Sequence, residues 1–106
     1  MENDIISLIK QKAEECCNSL YKYAAFISDM EFFADQYPEF FGSNELYSKY
    51  HHIWFELEIL NACVLNDWEE NGKPNNFDDI WNTKYRTDAV ELIHEFTDFL
   101  NYLNTK

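Results

Sequence analysis

The sequence predicts an all-α fold, an antiparallel bundle of three long helices plus one or two short helical segments. Three observations predict it. Apolar residues recur at steps of three and four over three separate stretches. Only two glycines and two prolines punctuate 106 residues, too few for a strand-and-turn design. Apolar content of 46% is enough for a core. The length suits one helical domain over residues 1–106.

The first stretch, residues 4–35, carries Ile5, Ile9, Ala13, Cys16, Leu20, Tyr23, Ile27, Met30 and Ala34 in one unbroken phase. Asn3 or Asp4 can cap its start. Ser28-Asp29-Met30-Glu31 matches a capping box, which favours a fresh start there. Met30 and Ala34 nevertheless stay in register, so the spacing predicts one helix, kinked near Ser28. Lys10, Lys12 and Lys22 make its first half the least acidic part of the chain. Next, Pro38 disfavours helix at Tyr37, and Gly42-Ser43 resets the chain. Residues 37–42 read as a corner with three aromatics tucked under it.

The second helix spans Ser43 to Asn71, roughly 40 Å at 1.5 Å per residue. Its main row is Leu46, Tyr50, Ile53, Trp54, Leu57, Leu60, Val64, Leu65 and Trp68. A second row, Phe55, Ile59 and Ala62, falls on another side, so neighbours are expected on more than one side. Asn61 interrupts the main row, where a buried amide needs partners. Gly72 and Pro74 stop the helix. Residues 73–84 read as a connection, with a short turn of helix near Asn76–Trp81. The last helix, about Tyr85 to Leu103, buries Ala89, Leu92, Ile93, Phe96, Phe99, Leu100 and Leu103 and frays over Asn104-Thr105-Lys106.

Charge is the strongest functional signal. Twenty acids against eight bases give a net charge of −12, which repels nucleic acid and anionic membranes and attracts basic partners. Aromatics reach 18%, and Tyr or Trp left at a surface are good interface anchors. Cys16, Cys17 and Cys63 form no disulfide framework or ligand pattern, so they read as small apolar side chains in a reduced cytoplasm. The start has no basic leader region, and no apolar run approaches a membrane span.

Two acidic constellations stand out. Asp88, Glu91, Glu95 and Asp98 step by three, four and three along the last helix, with no base among them. Like charges so spaced destabilise a helix, so the ridge reads as a binding surface, although a solvated helix face is the plainer alternative. Asp67, Glu69, Glu70, Asp78 and Asp79 cluster around the Gly72 turn, with only Lys73 against them. Trp68 and Trp81 lie in the same stretch. Acids around an aromatic can pair with a basic pocket while the ring fills it; the structural alternative is that both tryptophans are core, a reading that fits Trp68 better than Trp81.

Catalysis is not expected. Glu91-Leu92-Ile93-His94 fits one half of a carboxylate-bridged di-iron element, but no second Glu-x-x-His exists. His51, His52 and His94 read as surface or edge residues, and neither a metal nor another cofactor is expected. The Arg86-to-His94 spacing is too long for a HEPN-type nuclease, and the surface repels RNA. There is no glycine-rich phosphate loop.

Size, acidity, aromatic richness, the Tyr37–Gly42 corner and the all-helical pattern together resemble the small acidic immunity proteins of contact-dependent-inhibition and colicin-type toxin systems. That resemblance covers the whole chain without a diagnostic motif. It implies a cytoplasmic bacterial protein that binds one cognate basic toxin, a nuclease being the best candidate, and blocks its active-site cleft. Two alternatives use the same residues differently. One is a nucleic-acid-mimicking inhibitor of the anti-CRISPR or anti-restriction type. The other is a non-catalytic helical structural module whose charge serves solubility. Acids gathered in the second half of the chain suit a compact cleft better than an extended duplex channel.

Overall fold

A computed structural model describes residues 2–105, and the side chains of residues 4–105. Its helices are α1 (Glu2–Cys16), α2 (Leu20–Gln36), α3 (Asn44–Glu70), α4 (Asp78–Ile80) and α5 (Arg86–Asn104). A 3-10 turn, Pro38–Phe41, joins α2 to α3, and a π-helical turn, Trp81–Tyr85, joins α4 to α5. No strand occurs among the described residues. The all-α antiparallel bundle is therefore the observed fold.

The single helix expected across residues 4–35 is in fact a hairpin. The chain turns at Cys17-Asn18-Ser19, where the Ser19 hydroxyl accepts from the Lys22 amide at 3.2 Å and caps α2. Ile5 and Phe33 then line one groove, and Lys12 and Asp29 another, as antiparallel neighbours do. The unbroken stripe misled because a three-residue turn replaces one helical step. Both arms keep facing the same core. The Ser28 capping box stays unused inside α2. Asp4 lies within α1 rather than before it, and the Asn3 side chain lies outside those described.

Helices α2 and α3 form the next antiparallel pair. Tyr23 OH donates to the Leu57 carbonyl at 3.0 Å, Tyr50 OH to Met30 at 2.8 Å, and the Trp54 indole to Ile27 at 2.9 Å. Each bond gives a half-buried or buried polar group its partner, so an apolar ring can be placed in the core without an orphaned donor. Burial pushes both tyrosine hydroxyls well above their ordinary pKa. At the corner, Gly42 takes φ 80°, the left-handed conformation glycine adopts freely. Phe41 is buried there, Phe40 half-buried, and Tyr37 exposed, so one of the three aromatics is fully tucked in.

From Asp78 to Asn104 the chain is helical without interruption, and this arm matches α3 in length. The Asn76 side chain accepts from the Asp78 amide at 2.9 Å and starts it. The connection is thus shorter than expected. In the π turn the Arg86 amide reaches the Trp81 carbonyl, five residues back. Trp81 is wholly buried and donates to the Cys17 carbonyl at 2.8 Å, which ties the α1–α2 turn to the long arm. Lys10 of α1 donates to Asn101 at 2.8 Å, and Tyr50 of α3 stacks on Phe96 at 5.6 Å. The four helices therefore close into an up-down ring, α1–α2–α3–α5, of 44 × 21 × 19 Å. Thr105 ends the last turn with its hydroxyl on the Tyr102 carbonyl at 2.7 Å, and Lys106 lies outside the described residues.

Core positions follow the stripes with exceptions. Ile6 is buried and Ile5 exposed, the reverse of the expected choice. The second α3 row is not covered by any neighbour: Phe55 is 56% and Ile59 49% exposed. Cys16 and Cys17 are buried, but Cys63 is exposed rather than a core thiol. Asn61 is buried with its Oδ1 lacking a protein partner. No described helix is long and apolar enough to cross a membrane.

Candidate functional site: an acidic face on the long helical arms

The two longest arms, α3 and α4–α5, run antiparallel and carry both acidic constellations. Two contacts fix their register. Tyr50 meets Phe96 at one end, and Asp67 meets Tyr85 at the other. Between these anchors lie Phe55, Ile59 and Ala62 on α3, level with Asp88, Glu91 and Glu95 on α5.

Asp88, Glu91, Glu95 and Asp98 are all exposed. None takes part in a salt bridge of the described residues. Helix α5 sets their direction, because Ala89, Ile93, Phe96, Phe99 and Leu100 are buried on its other side. An unscreened row of four carboxylates costs the helix some stability and raises the local negative potential.

One base comes close, and it belongs to α3, where spacing along α5 cannot reveal it. Lys49 lines a groove of about 320 Å³ with Glu95, Asp98 and Phe99. Its Nζ lies 5.9 Å from the Phe99 ring centre and 5.6 Å from that of Tyr102, within cation–π range. The C-terminal end of the ridge is thus tempered by one positive charge, and the Asp88–Glu91 end is not.

The second constellation divides. Glu69, Glu70, Asp78 and Asp79 are exposed around the turn at the tip of the long arms. Glu70 accepts from Asn66 at 3.3 Å. Asp67 is committed inside the fold. Its Oδ2 accepts from Tyr85 OH at 2.6 Å and from Lys84 Nζ at 3.1 Å, and Asn71 donates to its Oδ1 at 2.9 Å. The Tyr85 hydroxyl, then the Lys84 ammonium, hold the Asp67 carboxyl below the usual carboxylate range. Burial and that same carboxylate push Tyr85 up, and Asp67 pushes Lys84 up. The base that answers this cluster is therefore Lys84, not Lys73.

Trp81 is the clearest correction among the proposed contacts. Its indole fills the core against Tyr23 at 5.4 Å, so no partner reaches it in this fold. Trp68, expected in the core, is only half-buried, with its indole N–H on the Pro74 carbonyl at 2.9 Å. The exposed apolar anchors on these arms are Phe55 and Ile59. Their i, i+4 spacing was legible, but a second apolar row reads first as a second buried side.

Chemically, the two arms offer exposed carboxylates on α5 and exposed apolar groups on α3. Such a combination suits recognition of a cationic surface with an apolar socket. Compared with protein-family models, curated proteins and solved structures, the chain matches none of them.

Proposed function

We propose that this chain is a non-catalytic immunity protein of a bacterial cytoplasm, of the contact-dependent-inhibition or colicin type. It binds and neutralises a cognate basic toxin, a nuclease, by covering its active-site cleft. The observation that carries the reading is the row Asp88, Glu91, Glu95 and Asp98, four exposed carboxylates with no base among them on their own helix. A cleft built to hold phosphates is cationic, and carboxylates carried on a helix present negative charge to it from a backbone that is already ordered. A net charge of −12 steers the encounter, with association rates of about 10⁸–10⁹ M⁻¹s⁻¹ at low salt against about 10⁵–10⁶ for neutral surfaces. Glu69, Glu70, Asp78 and Asp79 extend the contact at the tip, and Phe55 and Ile59 supply apolar anchors in place of Trp81.

The test is affinity capture from the native host at low and high salt, followed by assay of the captured protein. One basic protein, held in fixed ratio and inhibited in nuclease activity by the pure chain, is the expected result. Binding should weaken as the screening length falls from about 10 Å at 0.1 M to about 3 Å at 1 M salt. Changing Glu91, Glu95 and Asp98 together to lysine should abolish inhibition while helicity by circular dichroism is kept. A verified partner that binds the triple variant equally well would remove the ridge from the interface.

A further inference from the structure

The turn that joins α1 to α2 carries a pair of groups that neither acidic constellation uses. Cys16 ends α1, Cys17 opens the turn Cys17-Asn18-Ser19, and both thiols are buried. Their sulfurs lie 3.9 Å apart, within hydrogen-bonding distance for sulfur. The Cys16 S–H also reaches the Ala13 carbonyl at 3.1 Å. Spacing along the sequence gives the pair a packing role only. The fold adds an approach and a charged neighbour. Cys16 lines a cavity of about 200 Å³, together with the exposed Lys12, Glu15, Lys22 and Asp29. A molecule as small as hydrogen peroxide therefore has a path to the pair. Arg86 reaches the same turn from α5, its Nη2 donating to Asn18 Oδ1 at 3.4 Å.

These surroundings make the two thiols unequal. The bond from Cys16, then the Arg86 guanidinium, hold the Cys17 thiol below its ordinary range, against the cost of burial. The bond to Cys17 and burial push Cys16 up. One sulfur is thus the readier thiolate while its neighbour keeps the proton, and the thiolate is the form that oxidants attack. Covalent geometry then sets the character of the product. Cα atoms joined by a trans peptide are about 3.8 Å apart, whereas disulfides ordinarily span about 4.4–6.8 Å, so a bridge between neighbours is strained and easily reduced. Strained bridges are the labile, regulatory ones.

We infer that Cys16 and Cys17 form a reversible oxidation site, which hydrogen peroxide closes to a disulfide. The Cys17 thiolate takes one oxygen of the peroxide. An S–O bond forms, the O–O bond breaks, and the departing hydroxide joins the proton that Cys17 had shed, giving water. The Cys16 sulfur then attacks that of Cys17. The S–S bond forms, the S–O bond breaks, and the hydroxide leaves with the Cys16 proton as a second water. Two thiols lose two electrons and two protons, and one peroxide becomes two waters. Closure draws the sulfurs from 3.9 Å to about 2.0 Å. Side-chain rotation alone does not supply this between neighbours, so the Cys17 backbone shifts. Its carbonyl accepts the Trp81 indole at 2.8 Å, and the disulfide therefore loosens the tie between the α1–α2 hairpin and the long arm.

Intact-mass spectrometry on the full chain carrying Cys63→Ser, which removes the exposed thiol, tests this. After hydrogen peroxide the expected product is lighter by two hydrogens. Peptide mapping should place the change at Cys16 and Cys17, and dithiothreitol should restore the original mass. The oxidised form should melt below the reduced form. Cys16→Ala and Cys17→Ala, which keep a small apolar group, should each abolish the two-hydrogen loss. The disulfide is overturned if both thiols survive a peroxide dose that oxidises Cys63 in the unaltered protein. It is equally overturned if the pair gains oxygen that dithiothreitol does not remove. An oxidised chain that melts together with the reduced one overturns the coupling to Trp81. These readouts need no toxin, so their failure and that of the immunity reading are separate.

Discussion

The two helical hairpins carry acid at nearly the same density and lay it out in opposite ways. Residues 2–41 hold eight acids and three bases; residues 44–104 hold twelve and four. On the α1–α2 hairpin the charges that line the groove include both signs, beside Ile5, Leu8 and Phe32. On α5 they collect into Asp88, Glu91, Glu95 and Asp98, one sign along one crest. The lesson is that net charge does not assign a surface. Which side of a helix the acids share, and what lies between them, decides the potential that each face presents.

Trp81 welds the hairpins together through its bond to Cys17, so Trp81→Ala is the largest way to break the comparison. Loss of a fully buried tryptophan should destabilise the protein by about 3–5 kcal/mol in urea unfolding. A loss below about 1 kcal/mol would mean that the hairpins are held together elsewhere. Asn61→Leu comes next and has the opposite sign. It removes a buried carbonyl oxygen that lacks a protein partner and extends the row of Leu57 and Val64. A gain of about 1–2 kcal/mol is expected in the same assay. No gain would place an ordered water on Asn61.

Much of the fold was legible in the sequence. The three stripes name most of the core, because period 3.6 follows directly from burial on one side. They do not report continuity, which is why the turn at Cys17–Ser19 was invisible and the Ser28 box misleading. Register between helices was equally hidden. Lys49 and Lys84 reach their acids from another element, so spacing along one helix overstates how bare its acids are. The burial of Trp81 and the bareness of the second α3 row were hidden because both depend on how the arms pack, which spacing along one helix does not carry.

Two smaller tests sharpen the contrast on the acidic side. Asp67, alone among those acids, is locked by Tyr85 and Lys84, and its folded-state pKa is lowered. Its contribution is therefore complete above the ordinary carboxylate pKa of about 4 and is lost as pH falls through the lowered value. Asp67→Asn should lower the melting temperature at pH 7, with the difference shrinking toward zero in strong acid. A difference constant with pH would show that the carboxylate charge is irrelevant. The smallest effect is Glu91→Gln on the bare stretch of the ridge. Relief of its repulsion with Asp88 and Glu95 should raise stability by about 0.2–0.5 kcal/mol, and more in low salt than in high.

The π turn at Trp81–Tyr85 amounts to one residue more than an α-helix would need there. Each residue advances a helix by about 100°. The surplus residue therefore sets the angular phase between everything before the turn and everything after it. Deleting Thr83, whose side chain is exposed and bonds only to carbonyls of its own turn, would remove the surplus. Trp81 and the carboxylate crest could then no longer both keep their present directions. The length of this segment, more than the identity of its exposed residues, is what the molecule must conserve.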